Sequence, residues 1–213
     1  MLSIIEVDNV SFSYGKTCIL HNVSFSIQQG AYVYIVGDNG AGKSTLVKLF
    51  MGLLDVSSGH INLGSRTVAY VPQLNTETKI PLSVYDVIAL GLKPMSWFLS
   101  KNAKQRIVDV AHQFGIENLL HRKISDLSGG QKQRVYLSRA MISNPDILIL
   151  DEPLSGLDKA SRAQFETIID GLHQAGTTIL NVTHHLTDNP HKHRSILDVG
   201  EGHCVFRKDT YVS

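Results

Sequence analysis

Residues 37–44 read Gly37-Asp38-Asn39-Gly40-Ala41-Gly42-Lys43-Ser44 and follow the phosphate-loop pattern G-x-x-x-x-G-K-[ST]. They come directly after Ala31–Val36, an apolar run typical of a strand that is buried on both faces. A helix pattern follows, with Leu46, Leu49 and Phe50 at helical spacing. Because the motif requires a strand before it and a helix after it, this stretch predicts an α/β fold built around a phosphate-binding loop.

The residue types of this loop indicate what it can bind. Its glycines allow successive backbone N–H groups to converge on phosphate oxygens at a helix N-terminus. Lys43 can place a positive charge at the β- and γ-phosphates, and Ser44 can offer a hydroxyl to Mg²⁺. The alternative is a glycine turn before a helix that contains Lys-Ser by chance, but the flanking strand and helix favour the phosphate loop.

A second motif lies further along the chain, where the apolar run Ile147–Leu150 leads straight into Asp151 and Glu152. Asp151 should emerge at the carboxyl end of a central strand, which is where ligands of open α/β sheets collect. A carboxylate there can hold Mg²⁺ through its water shell, and Glu152 can orient and deprotonate a water molecule. The alternative is two acidic residues in an ordinary strand-end loop.

Between these two motifs stands the pentapeptide Leu127-Ser128-Gly129-Gly130-Gln131. Its serine and glycines fall at a predicted helix start, where N–H groups and a hydroxyl can meet an anion. The alternative is an ordinary helix cap with glycines in a turn, which would carry no function. With the three motifs in this order, the chain resembles the ATP-binding-cassette (ABC) ATPase family over nearly its whole length.

This resemblance implies Mg²⁺-dependent ATP hydrolysis by a head-to-tail pair of chains with two ATP molecules between them. It implies three catalytic residues, with Glu152 as the general base, Gln73 as the residue that reaches Mg²⁺ and the attacking water, and His184 as the residue that bonds the γ-phosphate. The magnesium ligands that it implies are Ser44, Gln73 and Asp151. The ATP-binding residues that it implies are Tyr14, Gly37, Asp38, Asn39, Gly40, Ala41, Gly42, Lys43, Ser44, Thr45, Ser128, Gly129, Gly130, Gln131 and Asp158.

Several of these roles come from the resemblance alone. The pentapeptide would contact ATP bound to the other chain, Asp158 would lie in a loop that crosses the dimer interface, and Tyr14 would stack on adenine. Each weaker position also has a simpler interpretation. Tyr14 could be a core aromatic, Asp158 a helix cap, and Gln73 and His184 polar residues of loops.

Four histidines cluster near one strand end, at His184, His185, His191 and His193, which raises the alternative of a metal site. No ligand set among them has convincing spacing, so solvated loop histidines are favoured.

The fold class expected from the resemblance is the α/β fold of ABC ATPases among the P-loop NTPases. It comprises a mainly parallel core sheet, an N-terminal antiparallel β region and a helical subdomain. We expect a single domain over 1–213, with a core of 1–72 and 127–213 and a helical insert of 73–126. Helices are predicted from Ser83 to Gly91 and from Ser100 to Gly115, and a hairpin over 195–206.

Composition limits the class of protein. A chain of 213 residues can bury the core of one domain, and its net charge of +1 gives no electrostatic reason to expect nucleic acid. Cys18 and Cys204 form no C-x-x-C pair and fit reduced thiols in a cytosolic protein. No apolar run approaches the ~18 residues that a membrane span needs. Residues 1–6 lack the features of a signal peptide, so we expect a soluble protein.

The resemblance also suggests a biological setting. Tyr70–Gln73 and Ile80–Gly91 resemble the ATPases of bacterial metal-ion and metal-chelate importers. This implies a motor subunit at the inner face of the cell membrane. Its implied partners are a second ABC ATPase chain as a homodimer, a multi-span permease and a substrate-binding protein. The alternatives are a soluble ABC ATPase of the iron–sulfur assembly type, and an unrelated phosphate-loop enzyme such as a small-molecule kinase, against which the pentapeptide argues.

Overall fold

The computed structural model describes residues 2–73, 81–92, 99–184 and 193–211. The chain forms two compact units. The first unit comprises Met1–Val68, Asp146–Glu152 and His173–Ser213, and the second comprises Ala69–Pro145 and Pro153–Leu172. The division into a core and a 73–126 insert stays a prediction, and residues 127–145 group here with the second unit.

The described residues form nine strands and five α-helices. The strands are β1 (Ser3–Tyr14), β2 (Thr17–Gln28), β3 (Tyr32–Val36), β4 (Ser58–Asn62), β5 (Val68–Val71), β6 (Ile147–Asp151), β7 (Thr178–Val182), β8 (His193–Gly200) and β9 (His203–Tyr211). The helices are α1 (Lys43–Phe50), α2 (Val84–Ala89), α3 (Lys101–Gln113), α4 (Gly129–Met141) and α5 (Lys159–Gln174). Two short 3-10 turns cover Glu117–Leu119 and Ile124–Asp126.

The N-terminal region of the first unit is an antiparallel sheet with the strand order β2-β1-β4. Strands β1 and β2 alternate buried apolar and exposed polar residues, as a sheet with one solvated face requires. They are joined by a tight turn at Gly15, whose φ of 58 is a conformation that glycine adopts readily. The predicted N-terminal antiparallel region is therefore confirmed.

The central sheet has the strand order β5-β6-β7-β3-β8-β9. Strand β3 runs parallel to both β7 and β8, and β6 runs parallel to β7, while β9 is an antiparallel edge strand. The apolar run Ile147–Leu150 is 0 % exposed, as a strand covered on both faces should be. Because parallel strands end at the same edge, the carboxyl ends of β3, β6 and β7 present their loops side by side.

The second unit contains the predicted helices. Helix α2 begins with a capping box in which Asp86 N–H donates to Ser83 Oγ at 3.1 Å and Ser83 N–H donates to Asp86 Oδ2 at 3.0 Å. Helix α3 is capped by Ser100, which accepts from Ala103 N–H at 3.1 Å. Both helices start where the sequence predicts. In the part of the chain that the structure describes, no helix has the length and apolar character that crossing a membrane requires.

Candidate functional site

The phosphate loop connects β3 to α1 at the carboxyl edge of the central sheet. Lys43 is only 8 % exposed, and its Nζ donates to the carbonyl oxygens of Gly37 at 2.7 Å and Asp38 at 2.9 Å. Ala41 N–H donates to Asp38 O at 3.1 Å, which tightens the turn. The lysine therefore closes the loop on itself, and a phosphate would exchange these carbonyl contacts for stronger charge-assisted ones.

The acids after β6 lie at the same edge of the sheet. Glu152 follows the last residue of β6, and its N–H donates to Val182 O at 2.9 Å. Its backbone has a φ of 44, a left-handed conformation that costs a non-glycine residue about 1–2 kcal/mol. Backbone strain of this kind persists only where the surrounding structure holds it in place, and it is often found at functional sites.

Glu152 contacts the predicted catalytic histidine. His184 Nδ1 lies 3.0 Å from Glu152 Oε1, and because a carboxylate only accepts, Nδ1 carries the proton in this hydrogen bond. The glutamate side chain is 19 % exposed and the histidine 48 %, so the pair is at the surface but the carboxylate is the more enclosed member. The bond fixes the direction of the carboxylate, as a base that must meet a positioned water needs.

Oxygen donors stand in the same unit. Ser44 is exposed in the first turn of α1, and Asp151 ends β6. A hydroxyl and a carboxylate are the ligand types that Mg²⁺ accepts, so the donor chemistry fits this cation. Gln73, the third implied ligand, is an exposed residue of the second unit that follows Pro72.

Among the residues that the structure describes, no group of three or more His, Cys, Asp or Glu side chains could hold a metal ion. His185 and His191 lie outside the described residues. His193 begins β8.

The pentapeptide forms the start of α4 in the second unit. Ser128 caps the helix, with Gln131 N–H donating to Ser128 Oγ at 3.3 Å and Ser128 N–H donating to Gln131 Oε1 at 3.0 Å. The capping interpretation is therefore correct for the free chain. Ser128 and Gly129 are nevertheless exposed, so the first-turn N–H groups and the serine hydroxyl stand where an anion could meet them.

Asp158 also acts as a cap, here for α5. Its carboxylate accepts from Ser161 N–H at 2.9 Å and from Ser161 Oγ at 3.0 Å. These bonds, of which the backbone one has the larger effect, hold the pKa of the Asp158 carboxyl below its usual value.

Tyr14 is 47 % exposed, so it is not a core aromatic. Its ring centroid lies 4.8 Å from that of Phe12 in an edge-on arrangement, and the ring can offer a face to a planar base.

The model of the ABC transporter family matches residues 20–155, which is more than half of the chain. The chain belongs to this family. The match rejects the alternative of an unrelated phosphate-loop enzyme, and it confirms that this ABC ATPase binds and hydrolyses ATP.

Relatives of this ABC ATPase include two named transport subunits. It is 37 % identical over 193 residues to the zinc transport system ATP-binding protein TroB of Treponema pallidum, covering 85 % of this chain and 73 % of the relative. It is 38 % identical over 194 residues to the manganese transport system ATP-binding protein MntB of Bacillus subtilis, covering 85 % and 77 %.

Among solved structures, cbiO1 of Clostridium perfringens, part of the ABC transporter complex cbiONQ, superposes with a TM-score of 0.83. It is 27 % identical, and the match covers 97 % of this ABC ATPase and 88 % of cbiO1. The predicted fold class is therefore confirmed.

The structure adds Val199, a residue that the motifs did not indicate. A methyl group on Gly37 would lie 2.0 Å from the carbonyl oxygen of Val199, so the phosphate loop of the ABC ATPase rests directly on the backbone of β8. The two residues are far apart in the chain, and a backbone contact leaves no pattern in residue types. The sequence therefore held no signal for it.

Proposed function

We propose that this ABC ATPase is the motor subunit of an importer of divalent metal ions and works as a head-to-tail dimer. The observation that supports the cargo class is the similarity to both a zinc and a manganese transport subunit over most of the chain. Its proposed partners are a second copy of the chain, a multi-span permease and a substrate-binding protein. Its proposed location is the inner face of the cell membrane.

Within one chain, the hydrolytic chemistry belongs to the residues at the carboxyl edge of the central sheet. Glu152 takes a proton from the attacking water, and His184, hydrogen-bonded to it at 3.0 Å, keeps the carboxylate aimed. Lys43 leaves its loop carbonyls to bind the β- and γ-phosphates. Ser44, Gln73 and Asp151 would hold Mg²⁺, which neutralises phosphate charge when it is bound.

The second chain completes the site with the start of its α4. The exposed Ser128 hydroxyl and Gly129 N–H, together with the positive end of the helix dipole, stabilise a γ-phosphate carried by the other chain. ATP then bridges the two chains, and without ATP the dimer lacks these phosphate contacts. Hydrolysis releases them, because the bridging phosphate is lost.

The dimer is tested with Glu152→Gln. Glutamine has the same shape and still bonds His184, but it cannot accept the proton, so turnover should fall by about 10²–10⁴-fold while ATP still binds. Light scattering after size exclusion should show a dimer in Mg-ATP and a monomer without nucleotide. The wild-type rate per chain should fall on dilution. A monomeric variant in ATP, with a wild-type rate that is independent of dilution, would refute the head-to-tail dimer.

Transport is tested separately. The Glu152→Gln chain is used as bait in detergent-solubilised membranes, where a multi-span membrane protein should be recovered. Recovery of soluble partners alone would instead support the iron–sulfur assembly type. Cells that carry the wild-type chain should take up radioactive zinc or manganese faster than cells that carry Glu152→Gln. If the two kinds of cell take up zinc at the same rate and manganese at the same rate, the metal cargo is rejected.

A further inference from the structure

In the second unit, the start of α4 packs against the turn that leads into α5. A methyl group on Gly129 would lie 3.4 Å from Leu157 Cδ2, which is ordinary contact at its tight limit. A methyl group on Gly130 would lie 2.6 Å from Ser161 Oγ and 2.8 Å from Ser161 Cβ, which is closer than carbon atoms can come. The backbone at Gly130 therefore lies directly against Ser161.

Ser161 also holds Asp158. Its N–H and its hydroxyl both donate to that carboxylate, at 2.9 and 3.0 Å. The hydroxyl that faces Gly130 is therefore oriented by Asp158, and one small, half-buried side chain contacts both regions. We call the residues Ser128–Gln131 and Asp158 the two interface elements, because the proposed function assigns both to the contact with the second chain.

We propose that Ser161 is a positioning residue that keeps the two interface elements in a fixed register, so that both meet the second chain together. This inference rests on the proposed head-to-tail dimer. Each element ends in exposed polar groups, Ser128 on one side and Asp158 on the other. A surface that is ordered before association loses less conformational entropy on binding, so a fixed register strengthens the dimer without changing its contacts.

Removing the Ser161 hydroxyl separates this role from ATP binding by the chain itself. Ser161→Ala keeps Cβ against Gly130, but the Asp158 carboxylate loses the hydroxyl as a donor. The phosphate loop and the Glu152–His184 pair contain no part of Ser161, so the affinity of a single chain for ATP should stay within about twofold. The association of two ATP-loaded chains should weaken instead.

The experiment compares three proteins that all carry Glu152→Gln, so that ATP is not consumed. They carry no further change, Ser161→Ala, or the control Ser100→Ala. Ser100 caps α3 in the same unit, because its hydroxyl accepts from Ala103 N–H. Ser100→Ala therefore removes a comparable helix cap, at a cost of about 1 kcal/mol in stability, away from the interface elements. Dimer dissociation constants are measured by analytical ultracentrifugation in Mg-ATP, and melting temperatures check that each chain is folded.

Ser161→Ala should raise the dimer dissociation constant about fivefold to tenfold, while Ser100→Ala leaves it within about twofold. In chains with Glu152 intact, Ser161→Ala should lower kcat at a fixed protein concentration with little change in KM for ATP. Ser161→Thr keeps the hydroxyl and should restore both the dimer dissociation constant and kcat. This variant tests the role of the hydroxyl even if the alanine variant folds poorly.

Two results would overturn the inference, and they are distinguishable. If Ser161→Ala and Ser100→Ala change the dissociation constant equally, the hydroxyl contributes only helix stability and the dimer proposal survives. If the parent Glu152→Gln chain forms no dimer in ATP, the proposed dimer fails and the positioning role fails with it.

Discussion

Replacing Gly37 by alanine should destabilise the protein much more than the same change at Gly40, although both glycines lie in the phosphate loop. Gly37 has a φ of 144 and Gly40 a φ of 83, so both stand in backbone conformations that favour glycine. They differ in their surroundings. Nothing lies within 4 Å of a methyl group on Gly40, whereas a methyl on Gly37 would meet the Val199 carbonyl oxygen at 2.0 Å.

The size of the effect follows from these two terms. Backbone strain costs about 1–2 kcal/mol at Gly40, partly offset by the ~0.4–1 kcal/mol that alanine gains by restricting the unfolded chain. At Gly37 the strain is about 1–3 kcal/mol, and the methyl must also move about 1.3 Å to reach an ordinary contact near 3.3 Å. Overpacking of this kind adds about 1–3 kcal/mol. Gly37→Ala should therefore lose roughly 2–5 kcal/mol, and Gly40→Ala about 1 kcal/mol or less.

Urea unfolding of the wild type and both variants measures these losses as changes in the free energy of unfolding. Calorimetric titration with ATP should also show weaker binding by Gly37→Ala, because relief of the clash displaces the loop from β8. No side-chain substitution at Val199 can relieve the clash, since the contact is with its backbone. Equal losses of stability in the two variants would refute the claim that β8 supports the loop.

Three further predictions concern other parts of the first unit. The backbone N–H of Thr67 and the Thr67 hydroxyl both donate to the Asp146 carboxylate and hold its pKa below the ordinary value of about 3.9. The ionised Asp146 therefore stabilises the fold above about pH 3.9, and this stabilisation is lost as the pH falls through the lower pKa of the folded state. Asp146→Ala should thus lower the melting temperature more at pH about 7 than at pH about 3, and an equal shift would contradict this. Tyr32→Phe should cost about 1–3 kcal/mol in urea unfolding, because the buried Asn181 Nδ2 now donates to the tyrosine hydroxyl at 2.9 Å; a loss below about 0.5 kcal/mol would argue against it. Burial raises the pKa of the Cys204 thiol to about 12, so Ellman's reagent should modify it far more slowly than the chain's other cysteine, which is exposed, and equal rates would be the contrary result.

Local features of the structure could be predicted because they depend on neighbours in the chain. The capping box of α2 joins Ser83 to Asp86, three residues on, and the phosphate loop is recognised from eight consecutive residues. The run Ile147–Leu150 is apolar throughout, as a strand covered on both faces requires. In each case the residues that cause the local structure and the residues that adopt it lie in the same short stretch of sequence.

The grouping of the pentapeptide with the second unit could not be predicted in this way. Strand and helix patterns alternate through 127–213, so the sequence predicts that this stretch belongs to the core, and that division stays a prediction. The contacts show a separate property, which is that residues 127–145 and 153–172 cluster with the helices of the second unit. Packing between helices depends on which faces meet, and the period of a single helix does not show its partner.

From the order of its residues alone, the chain specifies an α/β protein with a phosphate loop, a strand that ends in Asp151 and Glu152, and a capped helix at Ser128. Tertiary structure adds the hydrogen bond between Glu152 and His184, which lie 32 residues apart, and the contacts of Gly37 with Val199 and of Gly130 with Ser161. These contacts depend on strand order, register and helix packing. Burial over the whole chain sets all three, so no short stretch of sequence encodes them.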